Sequence, residues 1–230
     1  IGRRLCITAA GERFASYASR IAALFDDMER QLHGWDRCVL LRVGASITIG
    51  SQFLPGYVKR FRALHPGAEI QATMAPSKLL EQKLMDNLLD LALMEGVPHV
   101  PALQSEEYME DHLVVITPTD GPFRPGQHLS QTEFRQQKFL LRERGSGTRE
   151  EFERVTEQAG FTVSPTWEAT STTALVNAVI SVLGIAVLPY RMVSAPLERG
   201  LVSAVTVEGL EFHRKFRIVY HRDKFLTAQA

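Results

Sequence analysis

The sequence has 230 residues, of which 45% are hydrophobic and 23% charged, a composition typical of one large or two small globular domains. Its 26 basic and 26 acidic side chains balance, so charge gives no reason to expect nucleic acid or an anionic membrane as a partner of these residues. No apolar run approaches the roughly 20 residues of a membrane span. The N-terminal residues lack the apolar core of a signal peptide, and Cys6 and Cys38 share no metal-ligand spacing. We therefore expect a cytoplasmic, reducing location.

A long amphipathic helix is predicted over residues 8–33. Its apolar side chains recur at spacings of three and four, at Phe14, Tyr17, Ala18, Ile21, Leu24, Phe25, Met28 and Leu32. Because so apolar a stripe needs a covering surface, a second copy of the chain is the favoured partner. Packing against its own domain is the alternative. Gly34 ends the helix, and residues 35–37 form a short linker.

From Cys38 onward, strands alternate with helices, which predicts parallel sheets with right-handed crossovers. The first unit is predicted to have strands at 39–45, 68–74 and 89–94 and helices at 54–64 and 78–85. Prolines and glycines between residues 98 and 126 surround one strand at 112–117 and indicate a change of subdomain.

The second unit is predicted to have helices at 130–136, 148–158 and from 171, and strands at 139–142, 163–168 and 185–188. Residues 199–205 lead back to the first unit. A final strand at 212–221 places Phe212, Arg214, Phe216, Ile218 and Tyr220 on one side. With only two short crossings between the units, the predicted architecture is a bilobed clamp.

Small hydroxyl residues follow several of these strands, at helix entrances. They lie in the loop of Ser46 and Thr48, at Ser77, in the turn 144–148, and at Ser171 to Thr173. In open α/β sheets, ligands bind beyond the carboxyl ends of the strands. The free N–H groups of a helix entrance suit a small anionic or hydroxylated ligand. For residues 171–173, plain helix capping is the alternative.

The sequence predicts neither an enzyme nor a metal or cofactor site. Its seven histidines are scattered, and the sequence contains neither an HExxH pattern nor a GxSxG elbow. The turn 144–148 is not a P-loop, because it lacks the Gly-Lys-Ser/Thr ending. A solute receptor of a transport system would share a bilobed fold, but the helix 8–33 has no role in such a receptor.

Four motifs, in order, resemble the LysR-type transcriptional regulators over essentially the whole chain. Thr8-Ala9-Ala10-Gly11-Glu12, followed by Tyr17-Ala18, resembles the wing end and linker helix of that family. Three later motifs resemble landmarks of its effector-binding domain: LDLAL at 89–93, RERGSGTR at 142–149 and GIAVLP at 184–189.

This resemblance implies an α/β fold with two Rossmann-like subdomains in a periplasmic-binding-protein type 2 architecture, preceded by a long linker helix. Residues 1–37 would be the wing end and dimerising helix, 38–118 with 206–230 subdomain I, and 119–205 subdomain II. The resemblance also implies a dimer or tetramer and a winged helix-turn-helix domain before Ile1. Since the chain begins with Ile1 rather than Met, we expect it to be a fragment that contacts DNA only through that domain.

The resemblance further implies a small polar or anionic effector that is bound between the subdomains and released unchanged. The contacts it implies are Ser46, Thr48, Ser77, Ser146, Gly147, Thr148, Ser171 and Thr172, with Arg144 and Arg149 close in sequence. Two departures from the family pattern stand out. Val182 replaces a usual glycine, which is expected to crowd the helix end and alter the pocket. The chain also stops at Ala230, where the family adds a helix, so some apolar surface of subdomain I is expected to stay uncovered.

Overall fold

The computed structural model describes residues 7–33 and 40–224. Its helices are α1 (Ala9–His33), α2 (Ile47–Gln52), α3 (Leu54–Leu64), α4 (Ser77–Met85), α5 (Gln131–Arg135), α6 (Gly147–Gln158), α7 (Thr172–Ile180) and α8 (Tyr190–Glu198). Its strands are β1 (Leu40–Ala45), β2 (Glu69–Met74), β3 (Leu91–Glu95), β4 (Leu103–Pro118), β5 (His128–Leu129), β6 (Leu140–Arg142), β7 (Trp167–Ala169), β8 (Ala186–Pro189), β9 (Val202–Val207) and β10 (His213–His221). The predicted linker, both cysteines and the C-terminal residues 225–230 lie outside the described residues, as does the side chain of Leu32.

Most predicted helices and strands are confirmed, but four elements differ from the sequence prediction. The strand predicted at 163–168 is only partly right, because just Trp167–Ala169 pair with β6. The loop predicted after β1 contains the short helix α2, anchored by the fully buried Ile49. Pro189 does not end the ordered segment, because it lies at the N-cap of α8, where its missing N–H costs nothing. Strand β4 begins nine residues before the predicted position 112, since its first half has mostly exposed, polar side chains that hide the strand pattern.

The sheet of the first subdomain is mixed, so the prediction of a parallel sheet is only partly right. Strand β1 pairs in parallel with β2 and β3, as predicted. Strand β10, however, runs antiparallel to both β3 and β4. The reason is the chain path, because β10 returns directly from the second subdomain and not through a helical crossover.

Strand β4 carries the chain from one subdomain into the other. Its residues up to His112 pair with β10, whereas Leu113 and the residues after it pair with β8 and β9. In the second subdomain β5 also pairs with β9, and β6 pairs in parallel with β7. The predicted limits of the subdomains stay a prediction, and the change of strand partner favours a boundary near Leu113.

Each subdomain has its own hydrophobic core. In the first, one cluster includes Leu80 and Val219, and another includes Ile49 and Phe216. In the second, the clusters are built around three phenylalanines on one side and α7 on the other: Phe134, Phe139 and Phe152, then Leu175 and Val179. The segment from Phe212 into β10 connects the two parts, since Phe212, just before the strand, belongs to a core of the second subdomain and Phe216 to a core of the first.

The apolar stripe of α1 is exposed. Along this helix, Phe14, Tyr17 and Ile21 are 67–74% exposed, and Leu24, Phe25 and Met28 are 46–55% exposed. Within the described ranges, α1 and the other helices are not both long enough and apolar enough to cross a lipid bilayer.

Val182 lies just beyond α7 in a conformation that side chains with a Cβ rarely adopt. Its φ is +60°, and its N–H donates to the carbonyl of Val179 while Leu183 donates to Ala178. These two bonds form a Schellman motif, whose left-handed position favours glycine. Val182 is also 54% exposed and lies at the end of α7 opposite Thr172. The expected effect of Val182 on the pocket therefore has no support, and its consequence is local strain.

We predict that Val182→Gly raises the free energy of unfolding by about 0.5–1 kcal/mol. A left-handed residue with a Cβ costs roughly 1–2 kcal/mol, and the greater freedom of glycine in the unfolded chain offsets about 0.4–1 kcal/mol of that gain. Urea unfolding measures the difference. Val182→Ala is the control, because it keeps the Cβ and should gain less. A glycine variant less stable than the natural chain would contradict the assignment of strain.

Candidate functional site

A buried arginine lies where the two subdomains meet. Arg214 on β10 is the direct cross-strand neighbour of Asp111 on β4. Its Nε and Nη2 both lie 2.8 Å from Asp111 Oδ2, and its Nη1 lies 3.0 Å from Glu95 Oε2. All three side chains are at most 4% exposed. The two strands are thus joined by buried ion pairs as well as by backbone pairing, and Glu95 at the end of β3 belongs to the same network.

Two of the predicted site residues bind the same guanidinium group. Nη2 donates to Thr48 Oγ1 at 3.2 Å, and Nη1 donates to Thr148 Oγ1 at 3.0 Å. Thr48 lies on α2 of the first subdomain, and Thr148 lies on α6 of the second. Arg214 therefore brings together hydroxyls that are separated by 100 residues of sequence and come from opposite walls of the cleft.

The entrance of α6 packs closely on the first subdomain. A Cβ at Gly147 would lie 2.6 Å from Glu95 Cβ and 2.8 Å from its Oε2, so only glycine fits there. The amide of Lys78 donates to the carbonyl of Gly145 at 3.3 Å, which brings the start of α4, with Ser77, to the same turn. The predicted residues Ser77, Ser146 and Gly147 are therefore neighbours across the subdomain boundary.

Three predicted serines are buried with unused hydroxyls. Ser46, Ser77 and Ser146 are 1–2% exposed. Among residues 7–33 and 40–224, their Oγ atoms have no hydrogen-bond partner, and neither do Glu95 Oε1 and Asp111 Oδ1. Since buried polar groups are normally hydrogen-bonded, such a concentration in one place needs an explanation. A polar ligand or ordered water between the subdomains would provide it.

The last two predicted residues, Ser171 and Thr172, lie at the start of α7 but differ in burial and in hydrogen bonding. Thr172 is buried and accepts a hydrogen bond from Nη1 of Arg142 at 3.3 Å. Ser171 is exposed, and its Oγ accepts from the amide of Ala174 at 3.2 Å, which is the capping role that the sequence left open. Whether Ser171 also contacts a ligand stays a prediction.

The two arginines considered near the turn differ in burial. Arg144 is exposed. Arg149 is buried, and its Nε donates to Glu153 Oε1 at 2.6 Å. Arg142, which the sequence analysis did not propose as a contact, reaches Thr172 as Arg214 reaches Thr48 and Thr148, and its own charge is paired with Glu143 at 2.8 Å.

A histidine lies between the subdomains at the edge of this region. His99 Nδ1 lies 3.0 Å from Glu81 Oε1 on α4, and its Nε2 lies 3.9 Å from Glu150 Oε2 on α6. The bond to Glu81 raises the pKa of His99 above its usual value, with a further contribution from Glu150. Burial raises the pKa of the Glu150 carboxyl, an effect that His99 opposes. These groups link the subdomains by charge as well as by packing.

Sequence reasoning missed the three charged residues at the centre, Arg214, Asp111 and Glu95. A signal for Arg214 was present, because it interrupts an alternating run between Phe212 and Phe216 on one side of the final strand. Glu95 likewise follows directly after the apolar residues 91–94. Their proximity could not be inferred, since it depends on how β10 and β4 cross. Residues 7–33 and 40–224 contain no group of three or more His, Cys, Asp or Glu side chains placed to hold a metal ion.

Comparison with known proteins identifies the family. The family model "LysR substrate binding domain" matches residues 38–230. A relative, the RuBisCO operon transcriptional regulator of Allochromatium vinosum, is 30% identical over 233 residues, which cover 100% of this chain and 76% of the relative. The chain belongs to the LysR family of transcriptional regulators. The resemblance seen in the four sequence motifs is thereby confirmed.

Solved structures of LysR effector-binding domains share the fold. The regulatory domain of CcmR from Synechocystis PCC6803, in complex with 2-PG, superposes with a TM-score of 0.74 at 22% identity, covering 82% of this chain and 90% of that one. The effector-binding domain of QuiR, in complex with shikimate, also gives 0.74, at 16% identity, covering 83% and 90%. The predicted bilobed fold is confirmed, and the chain is the effector-binding region of a LysR-type regulator.

We predict that the threonines and serines of the site differ in their effect on stability. Thr48→Val and Thr148→Val each remove an oxygen that accepts from a buried guanidinium, which should lower the free energy of unfolding by about 1.5–3 kcal/mol. Ser46→Ala and Ser146→Ala remove buried hydroxyls whose described surroundings provide no partner, so stability should be unchanged or slightly raised. Denaturant unfolding of the four variants tests this, and serine variants as costly as the threonine variants would contradict it.

Proposed function

We propose that the effector of this LysR-type regulator binds between the two subdomains, against the helix entrances that carry Ser46, Thr48, Ser77, Ser146, Gly147, Thr148, Ser171 and Thr172. The observation that carries the proposal is the group of buried, unused hydroxyls of Ser46, Ser77 and Ser146 within the described residues. They come from both subdomains and lie beside the network of Arg214. A small polar molecule with several donors and acceptors could satisfy them together.

The effect of binding would pass through the contacts that join the subdomains. Arg214 binds Thr48 on one side and Thr148 on the other, so a ligand that competes for either hydroxyl would change the contacts that Arg214 makes with both subdomains. The ligand stabilises the arrangement in which its contacts are best and shifts the population toward it. The linker helix α1 would carry this change to a DNA-binding domain outside this chain.

Binding without chemical turnover fits the site. The described residues of the cleft do not assemble a nucleophile, a base and an orienting group, because the central carboxylates are paired with Arg214 and no histidine is hydrogen-bonded to the hydroxyls of Ser46, Ser77 and Ser146. The relatives of the chain are regulators, and this supports neither an enzyme nor a transport receptor. We place the protein in the cytoplasm with its DNA, without a membrane partner or a cofactor.

The exposed stripe of α1 favours a homo-oligomer. Phe14, Tyr17, Ile21, Leu24 and Met28 follow one another at spacings of three, four, three and four, the pattern of a two-stranded coiled coil. A second copy of this helix would cover the stripe, and effector-domain contacts could extend the dimer to a tetramer.

We expect calorimetry to locate the effector at the predicted residues. Ser146→Ala and Thr172→Val should each weaken the binding of an effector by roughly 10- to 150-fold if the lost bond is to a charged group. The first compounds to titrate are 2-PG and shikimate, because the CcmR and QuiR domains, which share this fold, bind them. Thr173→Val is the matched control, since Thr173 is exposed on the same turn. Unchanged affinity in both variants, for a compound that binds the natural chain, would place the site elsewhere.

A second prediction concerns oligomerisation. Replacing Ile21 and Leu24 together with glutamate should convert the protein from a dimer to a monomer in light scattering, because like charges would face each other in the seam. Ala22→Glu adds the same charge beside the seam and should leave the dimer intact. A natural chain that is already monomeric at tens of micromolar would rule out this role for α1.

A further inference from the structure

We propose that the effector presents a cationic hydrogen-bond donor, such as a primary ammonium group, to Glu95 at the meeting point of the subdomains. The inference rests on the proposed function, because it assigns the chemical class of the ligand at that same site. It follows from which polar atoms there already have a partner within the protein and which have none among the described residues.

Every nitrogen of the Arg214 guanidinium already contacts a group of the protein. Its Nε, Nη1 and Nη2 donate hydrogen bonds to Asp111, Thr148 and Thr48 respectively. Nη1 and Nη2 also form ion pairs with Glu95 at 3.0 Å and with Asp111 at 2.8 Å, so both carboxylates are held by the same cation. The central cation of the cleft is therefore committed to the chain and not available to an anionic effector.

The atoms left over at the centre are acceptors. Glu95 Oε1 and Asp111 Oδ1 are buried and have no hydrogen-bond partner among the described residues. An ionised carboxylate can only accept hydrogen bonds, so these two oxygens require a donor. A charged donor makes a bond about twice as strong as a neutral one, and this favours an ammonium group over a hydroxyl.

The balance of charge favours the same class. Glu95 and Asp111 together carry two negative charges against the one positive charge of Arg214. Arg191 partly offsets Asp111, since its Nε lies 3.9 Å from Oδ1, but its side chain is 47% exposed. Glu95 has no such second cation within the described ranges, so its Oε1 is the stronger anchor. An anionic effector would add to this excess negative charge, whereas an ammonium group would neutralise it.

The N-terminus of α6 could attract an anion, but the side chain of Glu95 already lies against it. Gly147, at the start of α6, packs directly on Glu95, with less than 3 Å between its missing Cβ position and the Glu95 side chain. The positive end of α6 therefore already lies against a negative group of the protein. Beside it, the buried hydroxyl of Ser146 can donate or accept, and this suits a polar body that carries the ammonium group.

The ligands of the structural relatives do not decide the class for this chain. At 22% and 16% identity, the CcmR and QuiR domains establish the fold alone. The role of the buried carboxylates Glu95 and Asp111 in selecting a ligand can be tested directly on this chain.

The test compares the affinity of the whole chain for amines and for anions. One substitution, at Glu95, changes the unpartnered acceptor into a donor. Isothermal titration is carried out with ethanolamine and putrescine, and separately with sulfate and 2-PG. Glu95→Gln keeps an oxygen for Arg214 but can replace the unused oxygen with an N–H₂ donor. We expect an amine to bind the natural chain and to lose roughly 10- to 150-fold in affinity in Glu95→Gln. Glu157→Gln removes the same charge from an exposed position of α6 and should leave the affinity unchanged.

The outcomes separate this inference from the proposed function. If sulfate or 2-PG binds, and binding weakens in Ser146→Ala and Thr172→Val while the amines do not bind, the cleft is the effector site but the ligand class is wrong. An amine that binds the natural chain and Glu95→Gln equally overturns the role of Glu95. Binding of neither amines nor anions to the natural chain counts against both the class and the site.

Discussion

The buried ion-pair network of Arg214 with Asp111 and Glu95 is the interaction on which the junction of the two subdomains depends. It joins β4 and β10, the two strands that cross between the subdomains, with Glu95 at the end of β3, and it has apolar cores on either side. Taking three charges out of water is costly, and removing one partner of such a network typically costs about 3–5 kcal/mol. The network is therefore a weak source of net stability but a strong constraint on how the strands must meet.

That constraint explains the composition of the surrounding helix entrances. Thr48 and Thr148 present hydroxyls because the guanidinium needs acceptors from both walls. Gly147 is required because Glu95 leaves no room for a Cβ. The arrangement makes the junction sensitive to anything bound beside it, since a ligand that competes for one of these atoms changes contacts in both subdomains at once.

The buried serines of the proposed site carry a cost in folding. An unpartnered buried hydroxyl is unfavourable for folding, yet Ser46, Ser77 and Ser146 present three in one region of the described structure. Strain at Val182 has a different character, because it lies at the far end of α7 in an exposed turn and has no connection with the cleft. Only the first kind of departure from a well-satisfied fold points to a binding site.

The sequence by itself determined the alternating elements, the bilobed class and the helix entrances that carry the candidate site. These depend on local patterns: apolar periodicity, strand ends, and small hydroxyl residues before helices. Local patterns also placed Ser77, Ser146 and Thr172 correctly at the starts of helices, whereas Thr48, predicted in a loop, lies in the short helix α2. They could not distinguish a hydroxyl that caps, as in Ser171, from one that is buried and unused, as in Ser146.

Only the tertiary structure decided the direction of β10 and the polar centre of the cleft. Arg214 and Asp111 are 103 residues apart, and nothing in the sequence near either one specifies the register that makes them cross-strand partners. The length of β4 was hidden for a related reason, because its first half is held by backbone pairing to β10 while its side chains remain polar. Contacts set by the crossing of distant strands leave no periodic signal, and it is these contacts that determine the charge of the site.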